Sequence, residues 1–181
     1  MTSLHYKKIA KQTKGIHLYW KDNSIFPVNI NKKGKIMSGS IVSKKRVNRC
    51  SKIAIEILLQ EKTKIEKVFS TFIHKKYKGA ILRFDFDSAI DRLYNVKLTN
   101  ENDEEHGSND YEYIYISQNK LNDNKLVSTL LHESLHYLCQ FRQNNKKNFR
   151  DINEEYEHTI MNYLGDTYED EYQSESEYET E

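Results

Sequence analysis

Residues 127–138 read VSTLLHESLHYL. An α-helix turns about 100° per residue, so positions i and i+4 share a face one turn apart. Read as a helix, the stretch stacks His132 over His136 and sets Glu133 beside the first. Thr129, Leu130, Ser134, Leu135, Tyr137 and Leu138 around them are all uncharged. Two imidazoles at this spacing can reach one metal ion at about 2.0–2.1 Å. The glutamate between them is poorly placed to ligate but well placed to take a proton from water that the ion has made acidic. The bland reading is a pair of ordinary polar residues on an amphipathic helix.

The surrounding chain gives the motif a context. NDN at 122–124 is a good N-cap cluster, and it predicts a helix from about Lys125 to Gln143. YEYIYIS (111–117) before it is aromatic and β-branched, the clearest strand in the sequence. NENDEEHGSND (100–110) reads as a polar loop, AILRFDF (80–86) as a strand, SAIDRLYN as a short helix and VKLT as a short strand. From Cys50 to about Tyr77, apolar residues such as Ile53, Ile57, Leu58, Ile65, Val68, Phe69, Phe72 and Ile73 recur at helical spacing. That pattern predicts one long amphipathic helix, with Gly79 as its C-cap signal. After the QNNKKN turn a further helix is expected over about 152–164, with Ile152, Tyr156, Ile160 and Leu164 on its buried side.

T-L-L-H-E-S-L-H-Y-L resembles the extended signature of zincin metallopeptidases. The resemblance implies an α+β, zincin-like fold: a small twisted sheet with an edge strand, a long packing helix, an HExxH active-site helix and a following ligand helix. It implies a zinc-dependent peptidase with one Zn2+ per chain. His132 and His136 would be metal ligands, Glu133 the general base and later the proton donor, and a protein or peptide the substrate. In such proteins the strand before the active helix is the sheet edge that pairs with the substrate, a role that would fall to YEYIYIS.

A catalytic zinc takes three protein ligands, and INEEYEHTIMNYLGD (152–166) offers four candidates. Glu154 and Glu155 resemble the Asn-Glu pair of gluzincins. Glu157 lies near the edge of the apolar face. His158 makes E-H-T-I-M (157–161) similar to a SprT-like pattern, and histidine is scarce in this chain. We take His158 as the third ligand, with Glu157 and Glu154 as the competing donors. The apolar periodicity turns His158 away from the buried side, and its bland reading is a solvent-facing helix residue. The chain lacks the cysteine zinc ribbon of larger SprT-like proteins, since Cys50 and Cys139 are its only cysteines.

Two cysteines also exclude a disulfide framework. The start of the sequence has no apolar h-region and no run approaches a membrane span, so a cytoplasmic or nuclear rather than secreted protein is expected. Cys139 reads as a buried core thiol rather than a ligand. His5, His17, His74 and His106 lack partners at ligand spacing and read as surface or loop residues. Tyr137 and Tyr156 are candidate transition-state hydrogen-bond donors.

A net charge of +1 hides a strong polarity. Residues 1–78 carry 19 basic and 4 acidic side chains, and residues 79–181 carry 9 and 23. The division expected is a basic N-terminal region (1–49), a zincin-like metallopeptidase domain (50–165) and an acidic disordered tail (166–181). The basic half either balances the acidic half or contacts nucleic acid. SprT-like proteases often act on DNA-bound proteins, and the resemblance favours the second option to that extent. The rival to an enzyme is a non-catalytic zincin-like binding protein whose basic N-terminal half contacts nucleic acid.

Overall fold

The computed structural model describes residues 19–20, 25, 27–28, 40–100, 104–152, 158–160 and 163–164. These form a mixed α+β fold of helices and small sheets. Among the described residues, no helix is long and apolar enough to cross a membrane.

Two short strands, β1 (Tyr19–Trp20) and β2 (Pro27–Val28), pair antiparallel. β3 (Ser40–Ile41) leads into α1 (Lys44–Gln60), whose N-cap Ser43 accepts from the Arg46 N–H. Val47, Cys50, Ile53, Ala54, Ile57 and Leu58 make its buried stripe. α2 (Lys62–Lys76) continues that stripe with Ile65, Val68, Phe69 and Ile73. The single helix expected from Cys50 is therefore two helices, starting six residues earlier and interrupted at Glu61. The break falls in QEKTK (60–64), which has no apolar side chain to hold more than a turn of backbone against the core. Gly79, at φ +77°, makes the turn into β4 (Ile81–Phe84).

α3 (Phe86–Tyr94) is capped by Asp85, whose carboxylate accepts from the Ser88 N–H at 2.9 Å. β5 (Lys97–Thr99), β6 (Gly107–Asn109) and β7 (Ile114–Ser117) form one sheet in the order β5-β7-β6. β5 runs parallel to β7 and β6 antiparallel to it. YEYIYIS thus supplies the inner strand, not the edge. Ile114 and Ile116 are fully buried, which suits a strand flanked on both sides. The edges are β5 and, across α4, Gly-Ser-Asn of β6, inside the segment that reads as a polar loop. Its small and polar residues hide a strand from any propensity argument.

β8 (Lys120–Leu121) pairs with β3, and α4 (Asp123–Leu135) follows. Asn122 caps α4 by accepting from the Lys125 N–H at 2.8 Å. Asp123 in its first turn takes Arg46 (Nη2) at 2.9 Å and Arg49 (Nη2) at 2.8 Å from α1, tying the two helices together. α4 ends well short of Gln143. Residues 136–138 turn, and β9 (Cys139–Arg142) pairs antiparallel with β4 on one side and with β10 (Arg150–Asp151) on the other. CQFR alternates, with Cys139 and Phe141 buried, and period-2 burial wins once a sheet partner is present. Cys139 is the buried thiol expected, but it lies on this strand rather than on the helix of His136.

Residues 158–160 and 163–164 are helical, and Ile160 and Leu164 are fully buried. The Leu164 carbonyl accepts from the Ile25 N–H at 2.9 Å, and Ile25 is itself core. Most of the basic N-terminal region and the acidic tail lie outside the described residues.

Candidate metal centre

His132 sits in the last turn of α4 and His136 is its C-cap residue. His136 keeps helical dihedrals (φ −64°, ψ −21°), so the i,i+4 relation survives although the helix is ending. Their rings lie 5.4 Å apart between centroids. The ring of His158 closes a triangle, 5.4 Å from His132 and 6.1 Å from His136. One ligand atom from each of the three lies within 4.8 Å of the others. Three imidazoles, two half-buried and one exposed, are a donor set that suits zinc. Rotation of the rings has to close those separations only to about 3.3 Å, the nitrogen spacing of a tetrahedral site.

Placement of His158 runs against the periodicity of its own segment. Its neighbours Ile160 and Leu164 are buried, and His158 is exposed, yet its ring faces the other two histidines. A metal site at the surface draws on a helix flank rather than on the middle of an apolar stripe. Glu154, Glu155, Glu157 and Tyr156 lie outside the described residues.

Glu133 points off the same turn into a protected position and is only 7% exposed. Its Oε2 accepts a hydrogen bond from Asn109 Nδ2 at 2.6 Å. Asn109 belongs to the edge strand β6, which reaches this close because residue 107 is glycine. A Cβ there would stand 2.8 Å from Thr129 Cγ2 and 3.3 Å from Glu133 Cγ. Sequence reasoning missed both residues, and no local signal could have found them, since their role comes from where β6 lies across α4.

Tyr137 is not placed as a free hydrogen-bond donor. Its hydroxyl donates toward the carbonyls of Asp110 and Tyr113 (2.9 Å to the latter), pinning the end of α4 to the β6–β7 connection. Burial, and next the charge of Asp110, push this phenol up to about 12. Arg92 lies over its ring at 5.0 Å. Beside His136 an open cleft of about 450 Å3 is lined by Asn109, Tyr111, Tyr137, Gln140 and Arg83 among others.

The remaining histidines that can be placed have local work. His74 Nε2 lies 2.7 Å from the Ala80 carbonyl, joining the end of α2 to the start of β4. His106 Nδ1 lies 3.1 Å from Asn119 Nδ2. His5 and His17 lie outside the described residues.

No protein-family model, curated protein or solved structure matches the chain.

Proposed function

We propose that the chain is a zinc-dependent metallopeptidase with a zincin-like active site. The observation that carries this reading is the convergence of His132, His136 and His158 with a buried glutamate on the same helical turn. His132, His136 and His158 would hold one zinc ion per chain. When bound, zinc supplies Lewis acidity and lets water lose a proton near neutral pH.

Glu133 is the acceptor of that proton and returns it to the amine that leaves. Asn109 holds one carboxylate oxygen and so fixes the direction of the other. The edge strand β6 offers backbone groups to an extended peptide by β-augmentation, the role that YEYIYIS was expected to fill. The adjoining cleft has room for a substrate side chain.

Metal content by mass spectrometry of the purified protein tests the reading. We expect about one zinc per chain in the wild type, and loss of it in His132→Ala and in His158→Ala. Glu157→Ala should keep it. Glu133→Gln should keep zinc and lose peptide hydrolysis by about 10²–10⁴-fold on unfolded casein. A wild-type protein without metal, or a fully active Glu133→Gln, would overturn it.

A further inference from the structure

A second surface of the protein carries a strong charge of its own. The helix α2 ends in Lys75 and Lys76, Lys78 follows in the turn, and β4 adds Arg83. The β9–β10 segment RQNNKKNFR (142–150) adds Arg142, Lys146, Lys147 and Arg150. These two stretches, 72–84 and 142–151, contain eight Lys or Arg and one carboxylate, Asp151. The carboxylate is bonded to Gln140 Nε2 at 2.9 Å. The two loops touch: a methyl group on Gly79 would come 3.2 Å from the Asn144 side chain. Five of the nine basic residues of the acidic half, 79–181, gather here.

Three of the arginines lie over aromatic rings. Arg83 lies over the Phe149 ring at 4.1 Å and Arg142 over the same ring at 5.6 Å. Arg150 lies over Phe141 at 4.6 Å and Tyr77 at 5.1 Å. A guanidinium over a ring keeps its N–H donors directed away from the ring face. Arg83 Nη2 donates to the Gln140 side-chain oxygen and Arg142 Nη1 to the Lys146 carbonyl at 3.2 Å, and the five donors of each guanidinium leave others for an oxyanion. The order cost of holding each long side chain has been met before a ligand arrives.

Arg83 and Arg142 leave one side of the sheet with Gln140, and Arg150 leaves the other with Phe141, so the cations surround this end of the sheet. We infer that this basic end binds the phosphate backbone of a nucleic acid. The composition favours that partner over a protein. RQNNKKNFR holds four cations, four amides and one aromatic ring, with no aliphatic side chain. A protein interface needs an apolar centre, and this loop has none. Phosphates need Lys and Arg, while Asn and Gln amides suit sugar and base edges. Arg83, Gln140 and Asp151 share the solvent face of this sheet and also line the cleft beside His136. The bound strand would therefore pass next to the candidate metal centre. The inference does not depend on peptidase activity, and Glu133→Gln should bind as the wild type does.

The test is fluorescence anisotropy of the full chain with a labelled single strand and a duplex over a salt series. Wild type should bind at low salt and weaken about a hundredfold between about 50 and 200 mM salt, as expected for roughly four neutralised phosphates. The triple variant Lys78→Gln, Lys146→Gln, Lys147→Gln changes only exposed side chains. It should bind at least about tenfold more weakly at low salt, with a salt slope smaller by about 2 to 3. The control triple Lys45→Gln, Lys52→Gln, Lys67→Gln removes the same charge from exposed helix positions elsewhere and should change affinity by less than about threefold. Equal losses in the two triples, an unchanged slope, or no binding to either nucleic acid at about 50 mM salt would overturn the inference. So would polyglutamate competing as well as nucleic acid at equal charge, which would make the face a dock for acidic protein.

Discussion

The two three-stranded sheets meet the motif helix in different ways. The β5-β7-β6 sheet lies side-on to α4, and its contact is decided by what one residue lacks. Gly107 has no side chain, so β6 comes down onto Thr129 and Glu133 and delivers Asn109 to the carboxylate. The β4-β9-β10 sheet is the continuation of α4 itself. It stops the helix at His136 by drawing residues 139–142 into a ladder with β4, and the Asp85 N–H donates to the Leu138 carbonyl at 2.7 Å. Its hold is decided by what its residues bury. Phe141 is 3% exposed and stacked on Tyr77 at 5.3 Å. One sheet orients the glutamate through a close approach, and the other sets where the histidine helix ends.

The largest effect should come from the sheet that relies on burial. Phe141→Ala removes a stacked, buried ring and should cost about 3–5 kcal/mol in urea denaturation. The fraction that stays folded should still bind zinc, because Phe141 is on β9 and stacks on Tyr77, whereas His132 and His136 are carried by the last turn of α4. If folded Phe141→Ala protein loses zinc, the two sheets do not divide the work as described. Gly107→Ala should come next, at about 1–3 kcal/mol, since its methyl is forced against Thr129. Adding Thr129→Ser removes the clashing Cγ2 and keeps the hydroxyl that donates to the Lys125 carbonyl at 2.8 Å. That double variant should recover most of the loss. Failure to recover would place the strain elsewhere than at this approach.

Smaller again is Asn109→Ala. It leaves packing nearly unchanged and removes a hydrogen bond to the carboxylate, an interaction of about 1.5–3 kcal/mol when the partner is charged. With Asn109 exposed, the low end applies, and kcat should fall about tenfold while KM and zinc content hold. Asn109→Gln should not restore it, because the longer amide overshoots an oxygen now 2.6 Å away.

The sequence made one half of this arrangement legible. The spacing of His132, Glu133 and His136 is a property of one helix, and Asn122 announces where that helix begins. Its end was not legible, because CQFR satisfies both a helical and an alternating reading until β4 is beside it. The stripe from Ile53 to Ile73 is legible as amphipathic helix, yet the break at Glu61 has no Pro or Gly to mark it. His158 stands out in the sequence by its rarity rather than by its helix face, which argues the other way. β6 could not be read at all. Gly-Ser-Asn has the composition of a loop, and only its pairing with β7 turns it into a strand.

The smallest effect tests the far end of α4, where neither sheet reaches. Cys50 on α1 lies beside Asp123, with its sulfur 3.8 Å from the carboxylate. Burial, and next the charge of Asp123, push its thiol up to about 12, against the opposing pull of Arg49 and Arg46. In the unfolded chain the thiol ionises near its ordinary value of 9.0. Between these values the unfolded state has lost a proton that the native state keeps, so stability falls as pH rises. Below about pH 8 the thiol is protonated in both states and contributes no slope. At about pH 9.5 the loss should be just under about 1 kcal/mol. Cys50→Ala should show a shallower alkaline decline than wild type in urea titrations. Tyr137, also raised to about 12, bends both curves alike, so the difference between them isolates Cys50. Parallel curves would mean that the thiol ionises as easily in the folded protein as in the unfolded chain, and that the α1–α4 junction admits water.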